Sequence, residues 1–389
     1  MKQQKALHIS ILGHRGIPGN YGGFETFAEE LASRLVKRDH RVDVYCRTNT
    51  GTFRLPTYRG INLYYLSTIN NKFLDTIVHT LKSMLHATFI VRPDVILMVN
   101  VGNTILSWIP RMFGIPVILN VDGLEWERKK WNLLAKIYLR VSASLTRILP
   151  SAVVTDAKVI HDYYRDRLGL KTKMIPYGAA VTRKSFPDIM RQYDLRKNGY
   201  YLYVSRFEPE NNAHLVIKAF EKLKTNRRLV MIGDAPYATS YRRMVRSTKD
   251  RRIRFLGFVF GSDYKALQQN AYAYIHATEV GGTHPALIEG MGFGNCVLVN
   301  GTAENMETAN GSAIPFWFFR GRHPETSLLE KMQRIEDEPQ MVRRYRARAV
   351  AHIRKNYRWD HVARQYEDLM WQVASKRASR RTVVQSARA

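Results

Sequence analysis

The chain has 389 residues, 45% of them apolar and 24% charged. That balance excludes a disordered or fibrous protein, and the length suits two domains of roughly 150 to 200 residues rather than a single core. Lysine and arginine number 61 against 33 acidic residues, a net charge of +28, which says nothing about fold but favours polyanionic partners: nucleic acid, an anionic membrane face or phosphorylated substrates.

The start, MKQQKALHISILGHRG, passes from a short basic stretch straight into a strand and a glycine loop, without a signal peptide. Strands are expected at 8–12, 41–46, 95–99, 116–121, 152–155 and 173–175. Between them, helices are expected at 23–36, 74–89, 103–113, 131–149 and 157–168. The longest apolar-rich stretch, 73–91, is broken by Asp75, His79, Lys82 and His86, so it is no spanning helix. Such strand–helix alternation predicts a parallel sheet covered on both faces. The pattern then restarts, with strands at 200–204, 228–231, 253–256, 272–275 and 296–299. Their helices are expected at 214–223, 241–249, 263–269 and 285–291. The polar segment 182–198 reads as the linker.

The fold class is therefore α/β: two doubly wound, Rossmann-like domains with the ligand in a cleft at the carboxyl ends of the strands. Three helices close the chain at 327–335, 340–356 and 359–373. The last carries an apolar stripe of Val362, Tyr366, Leu369 and Val373. The domains are expected at 1–182 and 183–358, followed by the helix 359–375. A tail at 376–389 holds Lys376, Arg377, Arg380, Arg381 and Arg388 with no acid, and is expected to be disordered. The two cysteines, Cys46 and Cys296, each end an apolar run, so they read as buried free thiols.

Four segments could carry chemistry. In the first, Gly13, Gly16, Gly19, Gly22 and Gly23 lie between strand one and an amphipathic helix. Glycines allow close backbone approach, and a helix start offers unpaired N–H groups to an anion. The spacing is not that of a dinucleotide fingerprint. The second strand ends VDVYCR, with no acid for a ribose, which weighs against a dehydrogenase. In the second, NVDGLEWERKKW, Asp122 stands at a strand's carboxyl end; a turn aspartate is the plain alternative. In the third, YLYVSRFEPENN, Arg206 could grip a diphosphate bidentately or merely pair with Glu208 or Glu210. In the fourth, HATEVGGTHPALIEGMGFG, Gly281, Gly282 and Thr283 precede Pro285, so a helix should begin at Thr283 or His284 with its N–H groups open to phosphate. Glu289, one turn inside, can accept hydrogen bonds from ribose hydroxyls. Arginine, phosphate-binding backbone and sugar-binding carboxylate together imply a sugar nucleotide.

These motifs, Gly16-Ile-Pro-Gly-Asn-Tyr-Gly-Gly-Phe-Glu25, Asp122-Gly-Leu-Glu-Trp-Glu-Arg128 and Val280-Gly-Gly-Thr-His-Pro-Ala-Leu-Ile-Glu289, resemble the retaining glycosyltransferases of family 4, with the two-domain GT-B fold. The branch they resemble is that of bacterial rhamnosyltransferase-type enzymes building capsule, O-antigen or exopolysaccharide. The resemblance implies a hexosyltransferase with a helix at 359–373 crossing back onto the first domain. It implies that the loop around Gly16, Gly22 and Gly23 faces the diphosphate. Arg206 would neutralise the leaving group, Gly233 would open the GDGP-like turn Gly233–Pro236, and Glu289 would hold the ribose as the second glutamate of the E-x7-E pair. Three positions depart. The first glutamate of that pair falls on Gly281, leaving Glu279, two residues earlier, as its substitute. The usual lysine is Asn211, and the histidine many relatives carry in mid-domain is Asp122.

Leaving-group charge, rather than a strong nucleophile, is what this chemistry must manage. No D-x-D-like metal site stands in a convincing place, so Arg206 and helix N-termini would replace a metal, with no cofactor beyond the nucleotide-sugar substrate. Asp122 would orient the acceptor hydroxyl under retention, or act as general base under inversion. The segment WERKKWNLLAKIYLRVSASLTRIL mixes Trp126, Trp131 and Tyr138 with Arg128, Lys129, Lys130, Lys136 and Arg140, which suits an anionic membrane surface. The expected partners are a nucleotide-sugar donor, a polyprenyl-diphosphate-linked sugar or oligosaccharide acceptor, and that membrane. No nucleic-acid-binding module is recognised. The expected location is cytoplasmic, peripheral on the inner face of the cell membrane. The alternatives are a GT-B protein that binds a nucleotide sugar without turnover, and a sugar-nucleotide epimerase.

Overall fold

In the computed structural model the described residues are 6–19, 22–49, 54–71, 74–128, 131–182, 187–234 and 239–386. Outside them lie Asn20 and Tyr21 of the glycine loop, Lys129 and Lys130, residues 183–186 of the expected linker, Ala235 and Pro236, and Arg388. The side chains of Arg377, Arg380 and Arg381 lie outside as well. The chain divides into two units: Met1–Glu127 with Trp131–Tyr177 and Trp359–Ala389, and Gly178–Arg358 with Arg128–Lys130.

In the first unit the order is β1 (His8–Leu12), α1 (Gly23–Val36), β2 (Arg41–Arg47), β3 (Thr57–Tyr58), β4 (Ile61–Leu66), α2 (Asp75–His86), β5 (Val95–Val99), α3 (Trp108–Met112) and β6 (Val117–Asn120). Then come α4 (Leu133–Leu145), β7 (Ala152–Thr155), α5 (Lys158–Leu168) and β8 (Lys173–Met174). The sheet runs β3-β4-β2-β1-β5-β6-β7-β8, parallel throughout except for the β3–β4 pair. Its central strands read as unbroken apolar runs because both faces are covered: all five residues of β5, VILMV, are buried. α1 buries Phe27, Leu31 and Leu35, one helical face at a spacing of four.

Three local features depart from the expectation. The β3–β4 hairpin turns on Arg59 and Gly60, both at positive φ (52° and 78°), the geometry of a two-residue primed turn. An Arg-Gly pair there is a weak signal, and both strands were missed. The helix expected over 74–89 leaves α geometry at His86 and finishes as a π turn, Ala87–Val91, because Arg92 is left-handed (φ 53°) and precedes Pro93. The helix expected over 103–113 is a 3-10 turn, Val101–Ser107, running into α3. There Pro110 sits in the first turn, where no N–H is required.

In the second unit, α6 (Pro187–Gln192) precedes β9 (Tyr200–Val204), α7 (Ala213–Lys222), β10 (Arg228–Ile232), α8 (Thr239–Val245), β11 (Ile253–Gly257), α9 (Gly261–Asn270) and β12 (Ala273–His276). There follow α10 (Pro285–Gly292), β13 (Cys296–Asn300), α11 (Ala303–Ala309), β14 (Ile314–Phe316), α12 (Thr326–Asp337) and α13 (Pro339–Asn356). The all-parallel sheet has the order β11-β10-β9-β12-β13-β14. The polar stretch expected to be only a linker thus holds α6, and α11 with β14 adds a further strand–helix unit at one edge.

The final helix, α14 (Trp359–Ser386), belongs to the first unit. Phe27 of α1 packs against Trp359 and Tyr366, with ring centroids 6.4 and 5.2 Å away. Glu367 accepts from Arg38 at 2.6 Å and meets His40 at 2.9 Å. The helix passes the point at Lys376 where disorder was expected. Alanine, lysine and arginine in ASKRASRR are good helix formers, so the absence of apolar residues ends the packing stripe but not the helix. Trp126, expected on a membrane-facing helix, is instead buried in the 3-10 turn Glu125–Glu127, its ring 5.7 Å from that of Tyr163. Both cysteines are buried and free, as expected.

Candidate active site

In the second unit the chain order reverses between neighbouring strands β9 and β12. Loops leaving the carboxyl ends of such a pair diverge to opposite faces, which opens a crevice. Arg206 lies on the loop after β9 and Glu279 on the loop after β12, and side chains stitch the two loops together. Asn212 donates to the carbonyl of Ala277 (3.0 Å) and to Oε1 of Glu279 (2.9 Å). The Glu279 N–H donates to the Glu210 carbonyl (2.9 Å). Asn305 holds the Thr278 carbonyl at 2.9 Å. Glu279 is therefore an oriented carboxylate, although it stands two residues before the family position.

The expected position itself, Gly281, cannot carry a glutamate here: a Cβ would stand 2.3 Å from the ring of His284. Arg206 keeps a third of its side chain exposed and lies 3.6 Å from Glu208, the ion pair considered as its plain role. Asn211, where the family lysine would be, is buried and donates to the Arg206 carbonyl at 2.8 Å. Tyr203 in turn donates to the Asn211 carbonyl at 2.8 Å. It braces the arginine loop rather than presenting a charge.

Glu210 was missed as more than a possible ion-pair partner. It is fully buried, and neither carboxylate oxygen has a hydrogen-bond partner. With Glu279 it adds to the burial that pushes the phenol of Tyr241 up to about 12.

Helix α10 starts at Pro285, as the expected helix 285–291 did, with His284 as its extended N-cap and buried Thr283 before it. Glu289 is gripped from α9: the hydroxyl of Tyr264 donates to its Oε2 at 2.8 Å, and Gln268 donates to that hydroxyl at 3.0 Å. Burial, then the charge of Glu289, hold the Tyr264 phenol protonated far above its ordinary range. Beside this helix the rings of His276 and His284 lie 4.9 Å apart. Burial pushes His276 down to about 3, and burial together with His276 lowers His284, so both are neutral imidazoles. Gly233, after β10, has φ 131°, and a Cβ there would meet the Ser205 carbonyl at 1.9 Å. Only glycine fits that close approach to the loop bearing Arg206.

In the first unit the order reverses between β1 and β5, and the glycine loop leaves β1 at that point. Gly16, with φ 127°, packs on Cys46. Gly22 is the N-cap of α1 and Gly23 its first residue. Part of this loop's donor capacity serves the protein itself. The Arg15 N–H bonds Glu25 (3.0 Å) and the Gly19 N–H bonds Glu29 (2.7 Å), both carboxylates on α1. Asp122 is left-handed (φ 57°), its N–H on Asn120 Oδ1 (3.0 Å) and its carboxylate 3.4 Å from the Tyr177 hydroxyl. Asn120 also donates to Tyr366 of α14 (2.8 Å), so the final helix supports this turn. A non-glycine residue in that conformation costs on the order of 1 kcal/mol and is retained where the surroundings over-determine it.

Beneath the loop lies a buried cluster that the sequence did not signal, an arginine–aspartate pair beside two neutral imidazoles. Arg47 is held by Asp75 and Thr76. Beside it His14 is pushed down to about 3 by burial, His79 and Arg47, and His79 to about 4 by burial and Arg47. Among the described residues no group of three or more His, Cys, Asp or Glu could hold a metal ion.

Residues 185–352 match the family "Glycosyl transferases group 1", and residues 6–180 match "Domain of unknown function (DUF1972)". Residues 185–352 thus form a glycosyl transferase group 1 domain, and the chain as a whole has the GT-B fold. Its fold is that of the sucrose-phosphate synthase of Thermosynechococcus elongatus, at 16% identity and a TM-score of 0.77 over 95% of this chain and all of that one. Anabaena HepE, in complex with UDP and glucose, is similar at 18% identity and a TM-score of 0.74, covering 94% of this chain and all of that one. WaaG, a glycosyltransferase involved in lipopolysaccharide biosynthesis, is similar at 14% identity and 0.70, over 93% and 99% of the two chains. No curated protein matches in sequence.

Proposed function

We propose that this glycosyltransferase moves a sugar, with rhamnose suggested by the motifs, from a nucleotide-diphosphate donor to a lipid-linked or oligosaccharide acceptor in cell-surface polysaccharide synthesis. The observation that carries the reading is the convergence around the β9–β12 reversal of Arg206, the braced Glu279 and, on α10, the clamped Glu289. In support, the similar HepE was solved with UDP and with UDP-glucose.

The bond from the anomeric carbon to the diphosphate breaks, and the charge that develops falls to Arg206, the N–H groups before α10 and the backbone at Gly233, Gly281 and Gly282. No metal or cofactor is needed in this scheme. The acceptor oxygen bonds the anomeric carbon on the face that the diphosphate leaves, with retention, and the leaving phosphate oxygen takes its proton. Asp122 orients the acceptor hydroxyl, and Glu279 bonds sugar hydroxyls. Gly16, Gly22 and Gly23 line the diphosphate, using the N–H groups not already committed to Glu25 and Glu29.

The test is transfer from a panel of UDP-, GDP- and dTDP-sugars, with the anomeric configuration of the product read by NMR. An inverted product would hand Asp122 the base's role and sink retention. Release of free sugar and nucleotide with no transfer to any acceptor would count against the assignment. A donor-binding protein without turnover is the second reading, favoured by Asn211 in place of a lysine; donor binding with no turnover would establish it. Two variants test the donor side. Glu279→Gln keeps the Asn212 contact but removes the charge, and is expected to slow transfer about tenfold. Glu289→Ala is expected to raise the donor KM by about 10- to 100-fold, the worth of hydrogen bonds to a charged group. Tyr264→Phe should show a smaller shift in the same direction. Unchanged donor KM in both Glu289→Ala and Tyr264→Phe would remove Glu289 from the ribose.

A further inference from the structure

Of the 23 large apolar side chains exposed among the described residues, 14 lie between Leu81 and Ile148 in the first unit. They form stripes at helical spacing: Leu81, Leu85 and Phe89 along α2 and its π turn, and Leu133, Ile137 and Val141 along α4. Between them the 3-10 turn exposes Ile105, and α3 exposes Trp108 and Met112. The most exposed are Ile90 (71%), Met112 (73%) and Leu134 (76%), one from each element.

The stripes are one surface. α2, α3 and α4 all pack on the 3-10 turn Val101–Ser107. The Phe89 and Phe113 rings meet edge to face at 4.8 Å. Tyr138 donates to the Gly102 carbonyl at 2.5 Å, and Arg111 to that of Leu149 at 2.5 Å. The opposite faces of the same helices supply Met84, Ile109, Leu139 and Ala143 to the core, so the exposed stripes are not helices waiting for their own core.

Charge decides the occupant. Residues 76–93, 95–121 and 128–155 contain no aspartate or glutamate, while Lys82, Arg92, Arg111, Lys136, Arg140 and Arg147 lie within them. A symmetric contact with a second copy would press one acid-free basic rim against another. An anionic lipid leaflet offers both an apolar layer and the opposite charge. No helix among the described residues is long and apolar enough to cross a membrane.

We infer that α2 with its π turn, α3 and α4 form a platform that inserts its apolar side chains into one leaflet of an anionic bilayer, with the basic rim at the headgroups. It gives the proposed lipid-linked acceptor a place to be met, and rests on that reading for its purpose but not for its evidence.

The test is flotation of the full chain with phosphatidylethanolamine–phosphatidylglycerol vesicles, against phosphatidylcholine vesicles, comparing the wild type with the triple variant Ile90→Ser, Met112→Ser, Leu134→Ser. Serine adds no charge, and all three positions are exposed, so the variant should melt as the wild type does. The wild type should float with the anionic vesicles and keep part of its binding in about 1 M salt, where screening reaches ~3 Å. The triple variant should partition at least about tenfold more weakly. Failure of the wild type to float would overturn the inference. So would equal flotation of both proteins, lost together in high salt, since that is adsorption by net charge. A concentration-dependent dimer abolished by the triple variant would assign the face to self-association instead. Donor-induced thermal stabilisation, measured without vesicles, reports on the glycosyltransferase reading separately and should not change in the variant.

Discussion

Arg206→Ala is expected to lower kcat for sugar transfer by about 10²- to 10³-fold, the loss seen when one preorganised group is removed from a developing oxyanion. The size follows from what stands around the arginine. Its loop is fixed by Asn211 and Tyr203, so the guanidinium is presented by a rigid backbone. Asn211, at the position that would supply a second cation, spends its amide on the Arg206 carbonyl and brings no charge. Arg206→Lys should recover only part of the loss, because a point charge cannot reproduce a two-pronged grip on a diphosphate. Folding should barely change: the ion pair to Glu208 is 3.6 Å long at a partly exposed side chain, which is worth about 0 to 1 kcal/mol. The measurement is kcat and KM for one donor beside a thermal melt. Full activity in a folded Arg206→Ala variant would mean that the leaving charge is met elsewhere.

Legibility in the sequence tracked how local each feature is. Strands such as VILMV and CVLVN declare themselves because a doubly covered parallel strand is apolar along its whole length. The reversal at β9–β12 could be expected from two series of strand–helix units, and it brings together Arg206 and Glu279, 73 positions apart in the chain (279 − 206). What the sequence could not give is the clamp on each group. Tyr264 reaches Glu289 across 25 positions and Asn212 reaches Glu279 across 67. A tyrosine in a helix or an asparagine after another asparagine carries no periodic signal of such a role. The same holds for Glu210, whose burial without partners arises only when two loops close over it. A helix start with its cap and proline was readable, yet its use of space was not: that His284 excludes a side chain at Gly281 is a fact of packing. The His284 ring fills the space a side chain at Gly281 would need, and the proposal that Glu279 takes over that glutamate's part rests on this packing together with its bond from Asn212.

The molecule should lose stability steeply as pH falls below about 6.5, and the sign follows from three buried histidines. His14 is pushed down to about 3, His79 to about 4 and His276 to about 3 in the folded chain, against an ordinary value near 6.5 once unfolded. Burial is the largest cause for each, and for the first two the guanidinium of Arg47 adds to it. Between those values the unfolded chain takes up protons that the folded chain refuses, so acid favours unfolding. The stability these neutral rings support is complete above about pH 6.5 and drains away toward their folded values. Each contributes about 1.4 kcal/mol per pH unit in that window, hence about 3 for the first unit, which holds His14 and His79, and about 4 for the chain. Against a domain stability of about 5 to 15 kcal/mol, a drop from pH 6.5 to 5 removes about 3 kcal/mol from the first unit, enough to lower its melting temperature by several degrees. Thermal melts from pH 7.5 to 5 measure it. His14→Asn retains an acceptor for the Gly16 N–H that His14 Nδ1 now receives at 2.9 Å. Combined with His79→Gln, it should flatten the slope by about two protons' worth. A melting temperature independent of pH over that range in the wild type would mean that the unfolded chain gains no protons there, and that these rings are not buried as neutral imidazoles.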